Sequence, residues 1–248
     1  MASSKPLPFI LDVHDDIPKF RADTFWTKEP ETIQWIGDYL QTDSTIKVFI
    51  DVGANIGIYT LYAASVSAEV EIIAVEPINR TFTELEKNIA LNSRTDQIKT
   101  AHVALSTADG VGVMTRIDDR VGSSGAQLVM GSGEDGVTTN VMTGDRLLRE
   151  LATNKVPAVQ SVMIKIDTDG NELDVLSGFG KAFSDGVIAT VLVETIPTNV
   201  DEINQFLVSR GLSEETKYLK LEGHSNIRRI ARGNRERTKI YSVLEGER

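Results

Sequence analysis

Five short apolar runs recur along this chain, and each closes on a polar or acidic residue. Residues 48–52 lead into Gly53, 71–75 end at Glu76, 98–105 end at Ser106, 159–166 end at Asp167, and 187–193 end at Glu194. Continuous β-branched runs of this length mark strands buried on both faces. Between them the apolar spacing changes to the helical period. Pro30 and Glu31 signal a helix start, and Ile33, Ile36, Tyr39 and Leu40 then form one face. Further helices are predicted over 56–66, over 79–92 with Phe82, Leu85, Ile89 and Leu91 for burial, over 145–151 from Gly144-Asp145, and over 200–210. Two more strands are expected near 214–221 and 238–244. Strands alternating with helices specify a doubly wound α/β sheet, whose ligands bind outside the carboxyl ends of the strands.

The remaining stretches are less regular. Residues 1–23 carry three prolines and read as an irregular arm, so 1–45 form an arm and helix ahead of one domain over 46–248. Trp26 and Trp35 are expected in the core, and His102 as a structural histidine inside the third strand. Residues 110–117 alternate like half of a hairpin. The glycine-rich segment 118–140, which contains Ser124, is long for a loop and reads as a lid or substrate-binding excursion.

Composition narrows the functions. The chain has 248 residues, a net charge of -10 and no cysteine, which excludes disulfides, thiolate metal sites and cysteine nucleophiles. The acidic balance argues against a general nucleic-acid binder. The N-terminus lacks an apolar leader and no run is long enough to cross a bilayer, so a cytoplasmic protein is expected.

The candidate chemistry gathers at the predicted strand ends. In Asp51-Val52-Gly53-Ala54-Asn55-Ile56-Gly57, two glycines and an asparagine permit a left-handed turn, and the loop amides at a helix start are expected to face a polar ligand. The spacing is not that of a dinucleotide loop, G-x-G-x-x-G, which disfavours a nicotinamide enzyme. Glu76 follows Gly53 by 23 positions, where an acid holds ribose hydroxyls. Ala104, Leu105 and Ser106 are placed to border an adenine. Lys28 and Glu29 are polar residues at an ordered turn and are candidates for ligand contact. Asp169 and Glu172 have capping-box spacing, which leaves Asp167 without a cap role. Residues 224–237 form a local basic patch, either a solvated face or, through Arg228 and Arg229, a site for an anionic substrate group.

The ordered set of Asp51 to Gly57, Glu76-Pro77, Asn88-Ile89-Ala90-Leu91-Asn92, Ala104-Leu105-Ser106 and Ile164-Lys165-Ile166-Asp167-Thr168-Asp169-Gly170-Asn171-Glu172 resembles the FkbM family of S-adenosylmethionine-dependent methyltransferases. Thr27 to Thr32 is also similar to that family, and the likeness spans roughly residues 20–195. Asp169 departs from it, since the family has a glutamate there. The resemblance implies a class I methyltransferase sheet of seven strands, with an antiparallel last strand beside the fifth. It implies that Gly53 to Gly57 approach the methionine part of the cofactor, Asp51 its amino group, Glu76 and Pro77 the ribose, and Ala104 to Ser106 the adenine. It further implies O-methylation of a sugar, glycan or polyketide hydroxyl, with Ser124, Arg228 and Arg229 on the acceptor side.

An alcohol must lose its proton as it attacks the methyl group, so a base or a cation is needed. Asp167 is the first candidate base, His224 another. Asp167 with Glu194 is an alternative site for Mg2+, less favoured than metal-free catalysis. Two other readings are a nucleic-acid methyltransferase using the basic hairpin and a non-catalytic, cofactor-binding partner subunit.

Overall fold

The computed structural model describes residues 6–118, 120–133, 135–152, 160–221 and 237–243. The predicted strands form at β1 (Val48–Val52), β2 (Glu71–Val75), β3 (Ile98–Ala101), β8 (Val162–Ile166) and β9 (Ile188–Thr195), all parallel. With β10 (Leu212–Glu214) and β11 (Arg237–Val243) they make a seven-stranded sheet in the order β10-β11-β9-β8-β1-β2-β3. The last strand, β11, runs antiparallel between β9 and β10. This is the seven-stranded arrangement that the resemblance implies.

Register explains why the site lies where it does. Val52 pairs with Val75 and with Ile166, and Ile166 pairs with Val193. The next residue along each strand is therefore Gly53, Glu76, Asp167 or Glu194, and all four emerge on one edge of the sheet.

The two faces are buried by separate helix layers. On one, Phe49, Ile72 and Met163 pack with Trp35 and Ile36 of α2 (Pro30–Thr42) and Leu61 of α3 (Ile58–Val66). On the other, Ile50, Ile164 and Val191 pack with Leu176, Phe179 and Ile203. Trp35 is fully buried and Trp26 packs half-buried at the margin, as the helical pattern predicts.

Four regions depart from the expected pattern. The arm is partly helical, because Asp15 caps α1 (Asp16–Lys28) by accepting the Asp16 amide at 2.6 Å. The third run divides: β3 stays in the large sheet, while β4 (Ala104–Leu105) joins a second sheet, leaving His102 exposed between them and stacked on Phe82. Segment 118–140 is loop with two strands set into it rather than loop throughout. It supplies β6 (Gln127–Met130) and the start of β7 (Val137–Met142), which flank β5 (Gly110–Thr115) in the order β4-β7-β5-β6. Residues Thr216–Leu221 form a 3-10 turn instead of a strand. Within α4 (Asn79–Leu91), Leu91 is exposed and Asn88 is buried in its stead, donating to Ile56 O at 2.9 Å.

Candidate functional site

A crevice of about 840 Å³, open to solvent, lies at the carboxyl edge between β1, β2, β4 and β8. Its floor is the turn after β1. Gly53 has φ 75°, and a Cβ there would stand 1.9 Å from the Asp167 carbonyl oxygen, so only glycine lets the two strand ends approach. Ala54 and Asn55 also line the crevice. Gly57 does not: it caps α3 in a left-handed conformation, packed so closely that a Cβ would meet Leu85 at 2.7 Å.

The loop amides are not free to receive a ligand, contrary to the expectation from the glycine spacing. Those of Gly53 and Ala54 both donate to Val75 O, that of Asn55 to Glu76 Oε2 at 3.0 Å, and that of Ile56 to the Asn55 side chain. The end of β2 takes the donors.

Glu76 is the crevice's buried acid. Its Oε2 accepts from Asn55 and its Oε1 from the Ile78 amide at 2.9 Å. Burial pushes its carboxyl up to about 7, and these two amide bonds offset only part of that effect. Pro77, Ala104 and Leu105 line the same wall, with Val103, Met114 and Leu128 as apolar neighbours. Ser106 lies outside the lining; it is buried, and its hydroxyl has no hydrogen-bond partner among the described residues.

The opposite wall holds Asp167, with Lys165 beneath it. Lys165 and Asp51 are register partners on adjacent strands, and Lys165 Nζ lies 3.1 Å from Asp51 Oδ1. Thr60 Oγ1 donates to Asp51 Oδ2 at 2.7 Å. Asp51 is thus sealed into an ion pair and does not line the crevice, which corrects the expectation that it meets a ligand amino group. Lys165 Nζ also stands 3.7 Å from Asp167 Oδ2. Burial works to raise the Asp167 carboxyl, but Lys165, a hydrogen bond from Glu194, and the charges of Lys28 and Arg21 together hold it well below the usual range. Lys28 and Glu29 sit behind this wall rather than in it. They pair with each other, and Glu29 Oε2 accepts the Tyr59 hydroxyl at 2.7 Å; it is Tyr59 that lines the crevice.

The turn leading from β5 to β6 forms the roof. It is fastened by Arg21 Nε to Gly122 O at 2.8 Å, Asn55 Nδ2 to Ser123 O at 2.8 Å, and Gly125 N to Asp169 Oδ2 at 2.7 Å. Ser123 and Ser124 line the crevice under it. Asp169 therefore holds the roof instead of capping a helix. Glu172 alone reaches back, accepting from the Gly170 amide at 2.8 Å. Beyond Asp169 a second cavity of about 610 Å³ is lined by Arg116, Gln127, Glu172, Glu194 and Ile196. His224, Arg228 and Arg229 lie outside the described residues. Among the described residues, no helix is long and apolar enough to cross a membrane.

Two contributors carried no assignment in the sequence. Lys165 had a signal: one cation amid Ile164 and Ile166 in a buried run must have a partner inside the fold. Arg21 had none, since it comes from a segment that reads as irregular.

A family model described as "Methyltransferase FkbM domain" matches residues 51–225. The chain is similar to a curated protein named Methyltransferase sdnD from Sordaria araneosa, at 25% identity over 169 residues, covering 59% of this chain and 65% of that one. It is also similar to AMB antimetabolite synthetase AmbE from Pseudomonas aeruginosa, at 27% identity over 165 residues, covering 54% of this chain and 8% of that one. The chain thus spans less than two thirds of either relative. Among solved structures, the delta-N METTL16 MTase domain superposes with a TM-score of 0.50 at 13% identity, covering 96% of this chain and 90% of that one. At that identity the likeness concerns the fold.

Proposed function

The chain belongs to the FkbM methyltransferase family, and from that premise we propose that it transfers a methyl group from S-adenosylmethionine to a hydroxyl of a sugar, glycan or polyketide-type acceptor. Glu76 carries the cofactor half of the reading. A carboxylate offers about four lone-pair sites. Two are taken by the Asn55 and Ile78 amides, so the group is rigidly aimed and keeps capacity for two ribose hydroxyls. The apolar wall of Val103, Leu105, Met114 and Leu128 suits a flat heterocycle. Gly53 and Ala54 leave the floor clear for the methionine end. When bound, the cofactor supplies an electrophilic methyl group on sulfur.

Asp167 serves the acceptor half, in a modified role. A carboxylate held this low is too weak to ionise an alcohol in advance. It instead accepts the acceptor hydroxyl's hydrogen bond and orients the oxygen. It receives the proton as C–O bond formation makes that oxygen acidic. Glu194, hydrogen-bonded to Asp167, lines the second cavity, and that cavity gives the acceptor a polar chamber with Arg116 and Gln127. The Lys165 ammonium, 3.7 Å from Asp167, puts a positive charge beside that carboxylate, and no step is routed through magnesium.

The test is transfer of labelled methyl to a panel of sugars, nucleotide-sugars and hydroxylated polyketides, with added Mg2+ or with chelator. Metal-independent transfer to a hydroxyl supports the reading. Transfer to RNA or DNA with steep salt dependence would move the function to nucleic acid. Cofactor binding without transfer to any acceptor would leave a non-catalytic subunit.

A further inference from the structure

We propose that Asp12, His14 and Glu84 form a site for a first-row divalent cation of the Zn2+ class, which clasps the arm before α1 to helix α4. One ligand atom from each lies within 4.8 Å of the others. Glu84 is only 7% exposed, and its Oε1 accepts no hydrogen bond among the described residues. That oxygen lies 3.8 Å from His14 Nδ1, which is itself 3.4 Å from Asp12 Oδ2. A buried carboxylate oxygen without a donor is costly, and a cation among these atoms satisfies it. Tetrahedral ligands about 2.1 Å from zinc stand roughly 3.4 Å apart. The His14–Asp12 pair is already at that spacing, Glu84 must close on His14 by a few tenths of an ångström, and all three ligand atoms lie within 4.8 Å of one another.

The donor set names the class of ion. One imidazole with two carboxylates suits zinc or manganese better than magnesium or calcium, which prefer oxygen alone. The frame is also built in advance. Asn88 Oδ1 accepts the Asp12 amide at 2.9 Å, and Asn92 accepts from and donates to the backbone of Ile10, both at 2.7 Å. The segment pinned this way seats Phe9 against Phe25 of α1, with ring centroids 5.3 Å apart, and α1 carries Arg21 into the crevice.

Lys87 makes the proposal sharp. Its ammonium pairs with Asp12 and lies 3.8 Å from Glu84 Oε2. It is a competitor for the same carboxylates, on a side chain about half exposed and free to swing out. A purely structural salt bridge and a metal site therefore predict opposite consequences of its removal.

The experiment is calorimetric titration of the untagged, chelator-treated full chain with ZnCl2, with thermal unfolding in parallel and MgCl2 as comparison. Expected is one micromolar Zn2+ site, a Tm rise on the order of 5 °C near saturation, and much weaker Mg2+ binding. His14→Ala and Glu84→Gln should each weaken Zn2+ at least tenfold. Lys87→Gln should tighten it several-fold, and His102→Ala should leave it unchanged. No Zn2+ binding by the wild type overturns the site. So does binding that survives both His14→Ala and Glu84→Gln, Mg2+ binding as tight as Zn2+, or weaker Zn2+ binding after Lys87→Gln.

Discussion

Two carboxylates stand on the same edge of the same sheet, and their surroundings drive them in opposite directions. Glu76, at the end of β2, is bonded by two backbone amides, and burial pushes it up to about 7 against their effect and that of the Arg21 charge. Asp167, at the end of β8, has the Lys165 ammonium within 3.7 Å and is held well below the usual range. The largest favourable difference between them is one cation in the sheet, Lys165, with Glu194 and Lys28 adding to it at Asp167. Because Lys165 pairs in register with Asp51 and also reaches Asp167, the β8 end, which we propose for the acceptor, favours the ionised carboxylate. The β2 end, which we propose for the cofactor, changes charge near neutrality.

Removing that cation should break the contrast with the largest effect. Lys165→Met leaves Asp51 buried and unpaired, which costs about 3–5 kcal/mol and should lower Tm by about 10 °C. Calorimetric unfolding of this variant beside Asp51→Asn/Lys165→Met should find part of the loss restored in the double variant, with Asp167 rising toward an ordinary carboxyl pKa in both.

Next in size, Asp167→Asn should cut methyl transfer by about 10²-fold or more. Thermal stability should respond to pH: Asp167 contributes stability that is present above its unfolded pKa and lost as pH falls below it, and the variant lacks that component. Steady-state kinetics and Tm at pH 3 to 7 read both; near-wild-type turnover would remove Asp167 from the proton-accepting role.

Glu76 should behave with the reverse sign. Its folded pKa of about 7 lies above the unfolded value, so its contribution is fully present at low pH. That contribution declines between pH ~4.5 and ~7 as the ionised form is forced into burial. The Tm of Glu76→Gln relative to wild type should therefore shift in the variant's favour from pH 5 to pH 8. A difference that stays flat, or moves the other way, would contradict the burial argument.

The smallest effect belongs to the roof. Asp169→Asn keeps the acceptor oxygen for the Gly125 amide but loses the charge, and should weaken that turn by about 1 kcal/mol. Hydrogen exchange at Gly125 should quicken roughly tenfold or less, with cofactor affinity little changed.

The contrast was half legible in the sequence. Glu76 and Asp167 were marked because acids closing buried runs must emerge at a sheet end, and register then aligned them. The parallel sheet follows from the same runs, whereas the place of the antiparallel last strand came with the resemblance. Asp51 looked equivalent, yet a residue within a strand faces the helix layer rather than the edge, and only the pairing with Lys165 reveals it as sealed. The glycine loop looked like an amide cradle, because spacing does not tell that Val75 O and Glu76 consume the donors. The strands beyond the roof were missed because β6 and the start of β7 are short and largely exposed, so their alternation is weak. Arg21 reaches the crevice through tertiary packing of α1 that no local pattern encodes.

The central claim is a division of labour across the crevice, cofactor at Glu76 and acceptor at Asp167. Calorimetric titration with S-adenosylmethionine and S-adenosylhomocysteine at pH 7.5, NAD as control, tests it directly in three proteins. The wild type should bind both at micromolar level and not NAD. Glu76→Gln should lose about 10- to 100-fold, as expected for hydrogen bonds to a charged group, and Asp167→Asn should stay within a few-fold. Absence of binding to the wild type, or a loss on Asp167→Asn equal to that on Glu76→Gln, would contradict the account.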